Sequence, residues 1–362
     1  MHLSALGWDE FFAGHFSPFT TTDGFAPARV ALEHKHAYEL LSGSGELTAE
    51  CTGKLLHAAT ARADLPAVGD WVVARVRPGE ARADIHAVLP RRTKFSRQSA
   101  GETRHATEQI VAANVDTVFL VTALDANYNL RRIERYLAVA WDSGAQPVVL
   151  LNKSDLHADP AAARAEVEGV SLGAPVITLS AARDVDPTLA LGPWLAAGRT
   201  VALLGSSGVG KSTLINRLLG AERQRTSAIS DAVGKGRHTT THRELLVAPS
   251  GALVIDTPGM RELQFWDVEE SALDTAFADI AALAARCRFG DCAHRSEPGC
   301  AVHAALDDGS LDADRWASFQ KLQREQAYAA RKADPQLERA TKAAWKKLHQ
   351  AGRARARFKH GD

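Results

Sequence analysis

The sequence is poor in cysteine and aromatic residues and carries no net charge. Its 362 residues include only 4 Cys and 6% aromatics, and 43 Lys and Arg balance 43 Asp and Glu. So few cysteines exclude a disulfide-built extracellular scaffold. A formal charge of zero excludes a uniformly basic nucleic-acid coat, though it permits basic and acidic patches that cancel. No run reaches the ~18 consecutive apolar residues of a membrane span. The most apolar stretch, Val115–Leu124, is already interrupted by Asp116, Thr117 and Thr122. Asp9 and Glu10 stand where a signal peptide would need a basic and then an apolar segment. The expectation is a cytoplasmic chain with no membrane contact. A hydrophobic fraction of 45% suffices for a buried core, and the length suits about two or three domains.

The patterning changes along the chain. Residues 1–27 scatter Phe11, Phe12, Phe16 and Phe19 among Gly, Ser, Pro and Thr without a period, which predicts a loosely ordered lead-in. Residues 28–100 hold short alternating runs separated by Gly43, Gly45, Gly53, Gly69 and Gly79, the pattern of a small all-β barrel of about five strands, the size of an OB-fold. Residues 108–266 alternate apolar runs with amphipathic stretches such as Leu130–Trp141, predicting an α/β domain with a parallel sheet covered on both faces. Residues 267–340 turn helical, with one helix expected over Ser271–Arg286 and another from Asp312 to about Leu348, and residues 341–362 form a basic tail.

Gly205, Ser206, Ser207, Gly208, Val209, Gly210, Lys211 and Ser212, followed by Thr213, match the phosphate-loop pattern between a predicted strand and a predicted helix. Successive backbone N–H groups and the helix N-terminus would surround phosphates, with Lys211 on the β and γ phosphates and Ser212 on Mg²⁺. Asn152, Lys153, Ser154 and Asp155 follow another predicted strand, where ligands of open α/β sheets bind. The Asp155 carboxylate suits the paired N–H donors of guanine, whereas adenine would present it with an acceptor. Ser180 and Ala181 would complete that base site. Asp256 and Gly259, in Asp-Thr-Pro-Gly, suit a loop that senses the γ-phosphate. Between the phosphate loop and this loop lies the glycine-rich segment from Gly234 to Thr241. One of Thr239, Thr240 and Thr241 would give its hydroxyl to Mg²⁺, with Thr240 favoured.

The order of these parts is unusual. The base-reading motif precedes the phosphate loop by about fifty residues. Spatial neighbours in a sheet need not follow chain order, so the same site can form in a circularly permuted chain. The permuted order, the Gly-Arg-His-Thr-Thr-Thr segment, the leading barrel and a cysteine cluster together resemble the ribosome small-subunit-dependent GTPase A family (RsgA, also called YjeQ), over about residues 28–330. The resemblance implies an OB-fold, a permuted GTPase domain and a helical zinc-binding domain. It also implies a role in late maturation of the 30S subunit, whose 16S rRNA the protein would contact and which would stimulate hydrolysis of GTP to GDP and phosphate.

Cys287, Cys292, His294 and Cys300 offer three thiolates and an imidazole within fourteen residues, the ligand set of a closed structural Zn²⁺ site. Cys51 stands alone and reads as a small packed hydrophobe. Where many GTPases place a water-orienting Gln, this chain has Met260, so intrinsic turnover should be slow and His238 is the nearest candidate to position water. Arg91, Arg92, Lys94, Phe95 and Arg97 suggest a phosphate-contacting barrel edge, and the tail residues Lys342, Lys346, Lys347, Arg353, Arg355, Arg357 and Lys359 suggest another. The neutral charge thus conceals polarity. Residues 255–314 hold 13 acidic and 4 basic residues, and residues 315–362 hold 13 basic and 4 acidic. The expected protein is a monomer. Two rival readings are a nucleotide-gated RNA-binding scaffold and a permuted GTPase of large-subunit assembly.

Overall fold

The computed structural model of the chain describes residues 2–333 apart from 22–23, 36, 99–107, 127, 221–242, 257–269 and 296. The first residues are ordered by aromatic packing. Asp9 caps helix α1 (Glu10–Phe16), its carboxylate accepting from the N–H groups of Phe11 at 3.0 Å and Phe12 at 3.4 Å. The helix then buries Phe12 and Phe16, and Trp8 meets the fully buried Trp71 edge to face at 4.7 Å. Each such ring pair adds about 0.5–1.5 kcal/mol beyond area burial. The loosely ordered lead-in expected for these residues is therefore corrected: their partner, Trp71, lies some sixty residues further on.

Five strands close a barrel: β1 (Phe25–Glu33), β2 (Tyr38–Ser42), β3 (Gly45–Cys51), β4 (Trp71–Val76) and β5 (Arg82–Val88), in the order β1-β2-β3-β5-β4 with β4 returning to β1. Only β3 and β5 pair in parallel. A bulge between Val30 and Leu32 bends β1 around the closure. Val30, Leu40, Leu47, Val72 and Ile85 fill the interior, as strand alternation requires. Helix α2 (Gly53–Ala58) caps the connection to β4. Strands β6 (Lys94–Gln98) and β7 (Glu108–Ala113) then form a separate antiparallel ribbon that the sequence pattern does not announce.

The second sheet contains β8 (Thr117–Ala123), β9 (Gln146–Asn152), β10 (Val176–Thr178), β11 (Thr200–Leu204), β12 (Glu244–Val247) and β13 (Leu253–Asp256), in the order β10-β9-β8-β11-β13-β12. Five of these strands are parallel, and β12 runs antiparallel to β13. Every residue of β8 is buried, because helices α3 (Leu130–Ser143), α4 (Pro160–Val170) and α5 (Lys211–Leu219) belong to a sheet covered on both faces. A bridge from Leu32 to Glu244 joins this sheet to the barrel.

The C-terminal region is helical: α6 (Glu270–Ala276), α7 (Ala278–Ala284), α8 (Ala301–Asp307) and α9 (Ala313–Ala333). The single helix expected over Ser271–Arg286 is interrupted at Phe277, whose φ of −129° and ψ of 43° leave the helical region. Its ring is fully buried beside Phe319 and under the Arg315 guanidinium. Burying that ring outweighs one more turn of continuous helix. Among the described residues, no helix is long and apolar enough to cross a membrane.

Candidate nucleotide site and metal centre

The phosphate loop leaves β11 at Leu204 and enters α5 at Lys211, between β8 and β13. Two of its glycines are dictated by space. A Cβ at Gly205 would lie 2.2 Å from the carbonyl oxygen of Val121, and one at Gly210, where φ is +98°, would lie 2.2 Å from Asn152 Nδ2. The Lys211 ammonium donates to the carbonyls of Gly205 at 2.6 Å and Ser206 at 2.7 Å, so it lies across the loop. Ser212 and Thr213 occupy the first turn of α5, and Asp256 ends β13. Because β11 and β13 are adjacent and parallel, their carboxyl ends bring Ser212 and Asp256 to the same edge of the sheet.

Asn152 ends β9 and organises the loops around it. Its Nδ2 donates to Val209 in the phosphate loop at 2.8 Å, and its Oδ1 accepts from the Ala181 N–H at 2.9 Å. Lys153 follows with φ of 59°, a left-handed conformation unusual for a residue with a side chain, and its ammonium pairs with Asp125 at 2.9 Å. Asp155 accepts from the Ser180 hydroxyl at 2.6 Å, and the Ser180 N–H donates to Asp184 at 2.8 Å. The base motif, the Ser180–Ala181 turn and the phosphate loop therefore converge at one end of the sheet, with Ser154 beginning a short 3-10 turn there. Arg132 on α3, which sequence reasoning missed, donates to the Ser206 hydroxyl at 3.3 Å. His238, Thr239, Thr240, Thr241, Gly259, Met260 and the basic tail lie outside the described residues.

Cys287, Cys292, His294 and Cys300 bring their ligand atoms within 4.8 Å of one another. Cys287 Sγ and Cys300 Sγ lie 4.0 Å apart, and His294 Nδ1 lies 3.5 Å from each. Bond lengths of about 2.3 Å to sulfur and 2.0–2.1 Å to nitrogen give tetrahedral edges close to these separations, so the four residues fit Zn²⁺. His294 reaches the cluster through a backbone with φ of 53°. Burial disfavours the Cys287 thiolate, but the N–H groups of Ala301 and Val302 outweigh it and hold that pKa below the ordinary thiol value.

The cluster is fastened to the nucleotide domain through α3. Arg315 on α9 is buried and donates to Glu134 on α3 at 2.7 Å and, through two nitrogens, to Asp279 on α7 at 2.7 Å. On the same helix Arg131 pairs with Asp312, and Arg135 pairs with Glu325 at 2.9 Å. The His294 ring stands edge-on to Trp316, one residue beyond Arg315.

The proposed RNA edge near Arg91 is corrected in part. Arg91 turns inward, with two bonds to the fully buried Asp70 at 2.7–2.8 Å and others to the carbonyls of Ala63 and Leu65. Phe95 is also buried, whereas Lys94 remains exposed beside Glu108. A basic cluster in sequence does not reveal which members already have an interior partner, and Asp70 is about twenty residues away.

Comparisons place this geometry. The family model for the RsgA GTPase matches residues 88–266. The Small ribosomal subunit biogenesis GTPase RsgA of Opitutus terrae is 64% identical over 366 residues, covering 99% of this chain and 99% of that protein. Its namesake from Syntrophotalea carbinolica is 46% identical across the full length of both. The crystal structure of YjeQ from Thermotoga maritima superposes with a TM-score of 0.61 at 26% identity, covering 84% of this chain and 99% of that one. The base motif before the phosphate loop, on this sheet order and with these relatives, leads to one conclusion: the chain is a circularly permuted GTPase and belongs to the RsgA family.

Proposed function

We propose that the chain hydrolyses GTP to GDP and phosphate during late maturation of the 30S subunit, docks on its 16S rRNA, and is stimulated by it. The observation that carries this reading is the convergence of Asn152, Ser180, Ala181 and the phosphate loop at one sheet end, together with membership of the RsgA family.

In this mechanism Asp155 accepts from the guanine edge, and Ser180 and Ala181 close around the base. Asn152 holds that loop against the phosphate loop, while Lys153 is anchored on Asp125 and Ser154 on the Leu179 carbonyl. The N–H groups of residues 205 to 213, including Ser207, Gly208 and Val209, face the phosphates, and Lys211 leaves its carbonyl partners to neutralise them. Ser212 and Thr240 would hold Mg²⁺, which offsets charge developing on the phosphates. Asp256 and Gly259 would register the γ-phosphate, and His238 would position water in place of the Gln that Met260 replaces. Cys287, Cys292, His294 and Cys300 would hold one structural Zn²⁺ per chain, with no position left open for catalysis.

The working division is a barrel over 28–100, a GTPase domain over 108–266, a zinc domain over 267–340 and a basic tail over 341–362. The barrel and the tail would meet rRNA phosphates from a monomeric, cytoplasmic protein. Cosedimentation of the GTP-analogue-bound protein with separated subunits tests this reading. Binding should favour the small subunit and weaken steeply as salt rises. Equal or preferred binding to the large subunit would contradict it, and full ribosome-stimulated turnover in His238→Ala would remove His238 from the mechanism.

A further inference from the structure

A cleft of about 800 Å³ opens between the N-terminal segment, the barrel and the GTPase sheet. It lies at the amino ends of β8 and β11, the opposite end of the sheet from Asn152 and Gly205. Arg29 of β1 is on its floor, only 1% exposed. Its guanidinium donates to the carbonyls of Gly69, Leu6 and Asn114, and among the described residues no carboxylate pairs with it. These bonds use three of five N–H groups. Burial pushes its pKa down to about 10, which still leaves it charged at neutral pH.

The surrounding cations are already balanced. Arg91 pairs with Asp70, Arg92 with Asp9 and Arg199 with Asp116, so Arg29 is the excess positive charge. A second, independent feature is Thr200 on the same cleft. It is 1% exposed, and its buried hydroxyl has no hydrogen-bond partner. Arg29 feels the Asp116 and Asp70 carboxylates only from a distance and forms no direct ion pair among the described residues. A buried cation so placed and a buried hydroxyl without a partner are both costly unless something completes them. The tight seat of the N-terminal segment preserves the arrangement: a Cβ at Gly7 would come within 2.9 Å of Arg29 Nη1 and 2.8 Å of the Gly198 carbonyl.

We propose that this cleft binds a small phosphate-bearing anion, with Arg29 and Thr200 as floor donors and Arg199 at the rim. A tetrahedral oxyanion offers several acceptors at once and matches guanidinium donors. The depth of the floor favours a free or terminal phosphate over an internal phosphodiester, whose two ester substituents would have to enter with it.

The test uses the full chain saturated with Mg²⁺ and a non-hydrolysable GTP analogue, so that the phosphate loop is filled. Inorganic phosphate is titrated against chloride at matched ionic strength while the melting temperature is followed. The expected result is a saturable rise with phosphate alone, and an affinity at least about tenfold weaker in Thr200→Val and Arg29→Met, the loss expected of a buried charge-assisted bond. If Arg29→Met does not fold, Thr200→Val and the exposed rim variant Arg199→Ala carry the test. The proposal is overturned by the absence of a phosphate-specific rise, or by a rise undiminished in Thr200→Val and Arg199→Ala. It is also overturned if an RNA oligonucleotide without a terminal phosphate, rather than phosphate, produces the rise.

Discussion

Asn152 joins the Ser180–Ala181 turn to the phosphate loop in the candidate nucleotide site, its Nδ2 donating to Val209 at 2.8 Å while its Oδ1 accepts from Ala181 at 2.9 Å. One side chain thus couples the base loops to the phosphate loop in a chain where sequence separates them. Asn152→Ala removes both bonds and leaves a buried carbonyl and N–H without partners, each costing about 1–3 kcal/mol. GDP affinity should fall roughly ten- to a hundredfold. Calorimetric titration checks this, and unchanged affinity would deny Asn152 its bridging role.

The Arg315 node should set the stability of the contact between the GTPase and zinc regions. Arg315→Met leaves Glu134, whose side chain is fully buried, with Arg131 as its remaining cation. A buried carboxylate stripped of every partner costs about 3–5 kcal/mol; Glu134 keeps Arg131, so the loss should fall below that range while still lowering the melting temperature measurably. A loss no larger than that of an exposed Arg→Met substitution would mean the node contributes little.

That contribution should also fade in acid. Burial alone would raise the Asp279 pKa, but its bonds to Arg315 outweigh burial and hold it below the ordinary 3.8. A depressed carboxylate pKa contributes stability that is fully present above the unfolded value and is lost as pH falls through the folded one. The stability gap between the native chain and Arg315→Met should therefore be constant near neutrality and shrink below about pH 4. Chemical denaturation across that range measures it, and a gap that widens in acid would reverse the assignment.

Metal removal should loosen the C-terminal helices selectively. The purified protein should contain one zinc per chain, and chelation or Cys292→Ser should increase hydrogen exchange in α7 and α8 before the β8–β13 sheet opens. Stoichiometric absence of zinc, or exchange unchanged by chelation, would count against the structural site.

Arg91 should behave as an interior residue despite its basic neighbours. Arg91→Ala leaves Asp70, which is fully buried, without its guanidinium partner, a loss of about 3–5 kcal/mol. The salt dependence of subunit binding should keep its slope, since no phosphate contact is lost. A shallower slope with unchanged stability would restore Arg91 to the RNA-facing edge.

What the sequence reveals divides by range of interaction. The phosphate loop is readable because glycine spacing and a strand-to-helix junction are local features, and the barrel because Gly-marked turns recur within some sixty residues. Trp71 shows the limit: it orders Trp8 and Phe12, yet nothing near those residues announces it. Arg91 fails for the same reason, since its charge is used up by Asp70. The break at Phe277 is set by Phe319 and Arg315 on a later helix, and the β6–β7 ribbon by pairing across a nine-residue gap. Arg29 is read from sequence only as part of a strand, and its excess charge emerges once Leu6, Gly69 and Asn114 surround it.

The most direct test is GTP turnover by the full-length chain with and without purified small ribosomal subunits. Slow turnover alone, rising many-fold with small subunits and not with large ones, is the predicted result. Turnover that is equally fast without ribosomes, or raised equally by both subunits, would contradict the account.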